Sequence, residues 1–246
     1  MKNMILKRST FLYLAALLMI IASTDLFSGT RLPRFQVGLN FLLAFPQDEF
    51  NDYVDHAGYG GAGEFLYSLP FVPLSVGFAG SYLIYGSQTR SEKFSQTIPD
   101  VSVDVHTTNN IATAHLLFRA LPRQGKVRPY LDGLIGFNYL FTQTSIKSKN
   151  SGEEVASSTN LDDFAFSYGG GGGLMITVFE KPIDKGELGI GLARVNVDLR
   201  IRYLFGSEAK YLKEGSIIIN GGDVYYDENT SVTDVITFQV GATLEF

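Results

Sequence analysis

VITFQVGATLEF, Val235 to Phe246, is the stretch whose reading decides the fold. Ile236, Phe238, Val240, Ala242, Leu244 and Phe246 share one parity, while Val235, Thr237, Gln239, Gly241, Thr243 and Glu245 share the other. Side chains alternate across a strand, so this is a strand with one oily face and one mostly polar face. Last residues usually fray into water unless something holds them. An apolar run that reaches a final phenylalanine is therefore expected to be held by a neighbouring strand.

Seven further runs of the same kind precede it. RFQVGLNFLLAF sets Phe35, Val37, Leu39, Phe41, Leu43 and Phe45 against Gln36, Gly38, Asn40 and Ala44. GYGGAGEFLYSL sets Tyr59, Phe65 and Tyr67 against Ala62, Glu64 and Ser68, and LSVGFAGSYLIYG sets Leu74, Val76, Phe78, Tyr82 and Ile84 against Ser75, Gly77, Ala79 and Ser81. In NNIATAHLLFRAL, Ala112, Ala114, Leu116 and Phe118 oppose Thr113, His115 and Arg119; in VRPYLDGLIGFNYLFTQ, Leu131, Ile135, Phe137, Tyr139 and Phe141 oppose Arg128, Asp132, Gly136 and Asn138. FAFSYGGGGGLMITV carries Phe166, Tyr168, Leu174, Ile176 and Val178 on its oily side. The cleanest is VNVDLRIRYLF, with Val195, Val197, Leu199, Ile201, Tyr203 and Phe205 against Asn196, Asp198, Arg200 and Arg202. In GELGIGLARV, Leu188, Ile190 and Leu192 fall out of step with Val195, which predicts a bulge or an early start to that strand.

The connections differ in kind. PFVP, PRQGK and EKPIDKGE are short turn signals, whereas the segments after the first, third, fifth and seventh runs are long and polar. Long loops at one end and short turns at the other are the pattern of bacterial outer-membrane barrels. A lipocalin-like soluble barrel also has eight alternating strands, but with its oily side inward. The polar faces decide between them. Their small and charged residues suit a narrow lumen where charges can pair, and with so much glycine and alanine they make a poor coat against water. The oily faces carry aromatics near strand ends, such as Phe45, Tyr67, Tyr139, Phe141, Tyr203 and Phe205, the positions of interfacial girdles.

The start of the chain and its composition agree. Lys2, Lys7 and Arg8 precede an apolar stretch from Phe11 to Ile21, the layout of a secretory signal peptide and well short of the roughly 20 residues a spanning helix needs. Ala22-Ser23-Thr24 and Phe27-Ser28-Gly29 both offer small residues for the cut, so the expected division is 1–28 signal peptide and 29–246 barrel. The 246 residues include no cysteine, which excludes disulfides and a lipid-modified N-terminus. A net charge of −5 argues against nucleic acid as a partner.

RPYLDGLIGFNY from Arg128 to Tyr139, VDLRIRYLFG from Val197 to Gly206 and the closing VGATLEF together resemble the eight-stranded outer-membrane β-barrel family, the relatives of OmpA, OmpX and OmpW. The likeness runs through the mature chain, with motifs that identify a fold rather than one protein. It implies an all-β, eight-stranded antiparallel up-and-down transmembrane barrel in the bacterial outer membrane. Implied partners are outer-membrane lipid, lipopolysaccharide and the outer-membrane assembly machinery. The last strand, through Phe238, Val240, Leu244 and Phe246, resembles the signal that machinery reads, with no peptidoglycan-binding domain expected after it. A monomer without cofactors is expected.

Candidate sites follow from the polar faces. Glu64, Asp132, Asp198 and Glu245 face Arg119, Arg128, Arg200 and Arg202, with His115 among them, and are expected to form a charge-paired network inside the barrel. Arg119 and Arg128 have an alternative place at the solvated rim. The YGGGGG run, Tyr168 to Gly173, lacks the following Gly-Lys-Ser/Thr of a phosphate loop and is expected to bend the wall instead. His56, His106 and His115 lack the spaced Ser partner of a lipid-modifying barrel enzyme, so no enzyme is expected. Asp48, Glu49, Asp52, Asp55 and His56 cluster in the first long loop; hard cations want several oxygens, but the spacing fits no EF-hand, and a solvated acidic loop is expected. Two functions remain, a scaffold presenting long loops or a narrow pore for small solutes.

Overall fold

The computed structural model describes residues 33–93, 102–148, 154–181, 191–220 and 223–246. The expected signal peptide lies outside them. Eight strands form one closed antiparallel ring: β1 (Phe35–Pro46), β2 (Gly58–Ser68), β3 (Leu74–Lys93), β4 (Ser102–Ala120), β5 (Val127–Ser148), β6 (Glu154–Glu180), β7 (Arg194–Gly206) and the last barrel strand, β12 (Val235–Glu245). Each pairs with its neighbour in sequence, and β12 closes on β1, with Gln36 opposite Glu245 and Phe45 opposite Ile236. Phe246 extends the seam: its N–H donates to the Phe35 carbonyl at 2.8 Å, and its own carbonyl accepts from the Arg34 N–H at 2.6 Å.

Between β7 and β12 lie four short strands, β8 (Glu208–Tyr211), β9 (Ile217–Asn220), β10 (Asp223–Tyr226) and β11 (Asn229–Val232), paired as β8 with β11 and β9 with β10. One short helix, α1 (Asp48–Tyr53), follows β1. At the opposite end β2 joins β3, and β4 joins β5, through tight turns. A closed ring satisfies every strand edge internally, which is the condition for a sheet to stand in lipid.

The alternation is expressed as two different surfaces. Leu39, Phe41, Phe65, Phe78, Leu116, Phe137, Phe166, Leu199, Ile201, Phe238 and Val240 point outward and are exposed, a continuous apolar belt. Polar residues of the other parity are buried inside. The expected irregularity at GELGIGLARV lies mostly outside the described residues. Leu188 and Ile190 lie outside the described residues, β7 starts at Arg194, and the register slips on the partner strand between Thr177 and Phe179.

The lumen is more apolar than its small and charged residues predict. At the long-loop end Leu42, Leu83, Ile111, Leu140, Ala165 and Val235 meet Phe50 of α1, Tyr85 and Tyr211 in a buried cluster. The Phe50 ring stands edge-on to Tyr211 at 5.0 Å and to Tyr85 at 5.7 Å between centroids. The hydroxyl of Tyr85 donates to the Leu212 carbonyl at 3.1 Å, so burial leaves it satisfied. Loop and helix thus form an apolar stopper above the polar interior. A second buried group, Leu66, Ala79, Leu117, Leu134 and Leu204, has the lumen parity as well.

Candidate functional site in the lumen

Glu64 of β2 is the hub of the interior. It faces Gly38 of β1, and a Cβ added there would come within 2.8 Å of the Glu64 Cγ. Glycine at 38 therefore gives the carboxylate room to cross the lumen. Arg119 of β4 donates to Glu64 from Nη1 at 2.7 Å and from Nη2 at 3.1 Å. Arg202 of β7 donates to it at 3.1 Å, and Arg200, two residues earlier on the same face, pairs with it as well.

Asp132 of β5 completes the layer. It accepts from Arg119 Nε at 2.7 Å and from Arg202 Nη2 at 2.6 Å. Arg200 also pairs with Asp198, whose other oxygen accepts from the Tyr130 hydroxyl at 2.7 Å. The Tyr130 ring lies beneath the Arg119 guanidinium, 4.2 Å from its centroid to Cζ, a cation–π contact. That ring also covers Gly173, where a Cβ would stand 2.6 Å from the tyrosine oxygen. The glycine run of β6 thus works inside the barrel, as thin wall over which an aromatic folds. Three guanidiniums meet three carboxylates, and Arg119 is 0% and Glu64 6% exposed.

A second group lies nearer the short-turn end. Arg128 donates to Glu245 at 2.6 Å and to Asn196 at 2.9 Å. Arg194, at the foot of β7, reaches Glu180 at 2.7 Å and Glu245 at 3.5 Å. The nine expected lumen residues are therefore divided. Glu64, Arg119, Asp132, Asp198, Arg200 and Arg202 come together, Arg128 and Glu245 form a separate pair below, and His115 joins neither. His115 Nε2 meets Ser167 Oγ at 3.1 Å, buried one step above the ion pairs. The rim alternative for Arg119 and Arg128 is corrected by their burial at 0% and 2%.

Sequence reading missed Tyr130, Arg194 and Glu180. Tyr130 has the lumen parity of Arg128 and Asp132, and that parity is its signal. Arg194 and Glu180 lie at strand ends, where alternation no longer has enough residues to show a face.

The assembly-signal residues sit on the outer surface and the seam. Phe238 stands edge-on to Phe45 at 5.7 Å, Val240 is exposed and opposite Phe41, and Leu244 is opposite Val37. In the first loop, the Tyr203 hydroxyl donates to Asp48 at 3.2 Å, and His56 pairs with Asp55. Among the described residues no group of three or more His, Asp or Glu is placed to hold a metal ion.

No family model matches the chain, and no curated protein matches it. Solved structures do. It is similar to Neisserial surface protein A (NspA) at 13% identity over 86% of this chain and 95% of that one, with a TM-score of 0.36. It is similar also to Ail, the attachment invasion locus protein of Yersinia pestis, at 13% identity, 88% and 100% coverage and a TM-score of 0.36. The complex of Ail with the heparin analogue sucrose octasulfate gives 15% identity, 88% and 100% coverage and a TM-score of 0.38. The strand pairing itself makes this chain a closed eight-stranded antiparallel barrel.

Proposed function

We propose that the chain is an outer-membrane barrel with a plugged lumen, a rigid scaffold that presents long loops on the cell surface. The observation that carries this reading is the Glu64 layer, in which Arg119, Arg200, Arg202, Asp132 and Asp198 bridge β2, β4, β5 and β7 across the interior. An eight-stranded lumen is only wide enough for side chains to fill, and here they fill it with paired charge. The apolar stopper of Phe50, Tyr85 and Tyr211 adds a second closure above. The outward belt needs lipid, because so much contiguous exposed apolar surface is incompatible with a free monomer in water. Short turns then face the periplasm and long loops the exterior.

Planar-bilayer recording tests the plug. The native barrel is expected to pass little current, and Arg200→Ala combined with Arg202→Ala to raise conductance or to lower the stability of the fold. A large native conductance that the double substitution leaves unchanged would overturn the scaffold in favour of a pore.

One observation favours the pore as a second reading. Asn40, Asn138 and Gln239 carry buried lumen-side polar atoms with no protein partner. Such atoms take ordered water, and a file of waters beside the ion pairs would be a path for small solutes.

A further inference from the structure

The turn between β2 and β3, residues 69–73, is apolar where a solvent-facing turn is ordinarily polar. Its sequence is Leu-Pro-Phe-Val-Pro, and Phe71 is 86% exposed, more than any other large apolar residue among those described. Phe71 also has a φ of 69°, in the left-handed region. Pro70 followed by a residue at positive φ is the type II turn pattern, whose third position favours glycine because a Cβ there is strained. This chain uses glycine freely elsewhere, and Gly125 serves the neighbouring turn at φ 109°. At 71 it carries instead a bulky ring that rests on nothing in the fold.

The surroundings match an apolar medium. Val72 and Leu74 are exposed beside it, and with Phe118 on β4 they continue the belt past the strand ends into the turn. Two of the turn's carbonyls are covered: Arg123 donates from Nη2 to the Val72 carbonyl at 2.6 Å and also to that of Leu69. Unpaired carbonyls are costly at the edge of hydrocarbon, whereas a guanidinium at the headgroup level sits next to lipid phosphate. Arg123 is in turn fixed by Arg194, whose Nη1 donates to the Arg123 carbonyl at 2.8 Å.

We infer that this turn is a membrane anchor, with Phe71 inserted into the interfacial region of the phospholipid leaflet at the short-turn end and Arg123 closing the turn behind it. The inference rests on the membrane reading above. Its occupant is the lipid leaflet itself, since the apolar surface of the turn is continuous with the belt.

The chain has no tryptophan, so one introduced residue reports alone. Phe71→Trp, with Phe78→Trp in the belt and Ser91→Trp on the exposed upper part of β3 as references, would be reconstituted in phosphatidylcholine vesicles containing lipids brominated at shallow or deep acyl positions. Phe71→Trp is expected to emit to the blue of Ser91→Trp and to be quenched at least twofold more, with the shallow bromines most effective. Emission and quenching equal to Ser91→Trp, while Phe78→Trp is quenched, would overturn the anchor and leave the membrane barrel standing. An unquenched Phe78→Trp would instead overturn the membrane reading. Should Phe71→Trp fail to fold, Phe71→Cys carries a single spin label in this cysteine-free chain, and oxygen accessibility above that to an aqueous nickel chelate is the expected result. The reverse order counts against the anchor.

Discussion

Glu64 shows how much of this protein's economy rests on one side chain. Its two oxygens take hydrogen bonds or ion pairs from Arg119, Arg200 and Arg202, all buried. Glu64→Gln keeps the volume and removes the charge, leaving three guanidiniums facing two carboxylates where water is scarce. Breaking a buried pair from one side costs about 3–5 kcal/mol, and that loss is expected in reversible urea unfolding from vesicles. Adding Arg200→Met, which removes the excess cation, is expected to restore part of it, because neighbouring charges couple. No change on Glu64→Gln would mean that the layer is solvated and does not hold the lumen. The charges were legible from parity alone, since only one face of each strand could carry them. Their partners were not. Whether Glu64 meets Arg119 or Arg128 depends on strand stagger around a closed ring, and no single strand's pattern contains that. His115 shared the parity of the network yet stands one level too high to join it, beside Ser167.

At the scale of the element, β12 is a seam as well as a strand. Phe246 has its backbone bonded to Phe35 and Arg34 at the first barrel strand, so deleting the residue would remove both a ring and the last rungs of closure. Phe246→Ala separates the two, because it keeps the rungs. If the ring is read during assembly, Phe246→Ala is expected to reduce folded barrel in cells several-fold while the urea midpoint of the purified, folded protein moves little. Equal cellular yields would show that the ring is not read. Element boundaries were legible only along the apolar belt. The alternating runs ended near Gly86, began near Asn109, ended near Gln143 and began near Phe164, yet β3 to β6 continue well beyond these points. Above the belt both faces of these strands turn mostly to hydroxyl and amide residues such as Gln88, Thr89, Thr107, Thr108, Thr144, Ser145, Ser157 and Ser158. Periodicity in polarity needs two unlike environments, and there both faces meet polar surroundings. The apolar stopper was hidden for the converse reason: Leu42, Leu83 and Leu140 have lumen parity but oily side chains, so within their runs they blurred the alternation.

The whole molecule is accordingly lopsided. β1, β2, β7 and β12 have 12, 11, 13 and 11 residues, close to the roughly 9–11 that a tilted strand needs to cross hydrocarbon. β3, β4, β5 and β6 have 20, 19, 22 and 27, so about half of this wall stands above the apolar belt as a four-stranded fin. The loop between β7 and β12 leans on it, with Arg90 donating to the Ile217 carbonyl at 3.3 Å and Asn160 to the Tyr226 hydroxyl at 3.2 Å. The ion-pair layer and the stopper both lie below the fin's upper rungs, so the barrel does not depend on it for closure. Ser87 is opposite Thr108, and Gln143 is opposite Thr159. Joining each pair directly by an Asn-Gly turn, which suits a two-residue hairpin, removes the fin and keeps Tyr85, Asn109, Thr142 and Asn160 in place. The trimmed chain is expected to fold, to keep its shifted mobility on unboiled gels, and to lose no more than about 1–2 kcal/mol of unfolding free energy, the scale of the hydrogen bond from Arg90 and the contacts beside it. Failure to fold in vesicles would show that closure starts from the tall strands. In that case the fin belongs to the folding nucleus of the barrel rather than to the surface it presents.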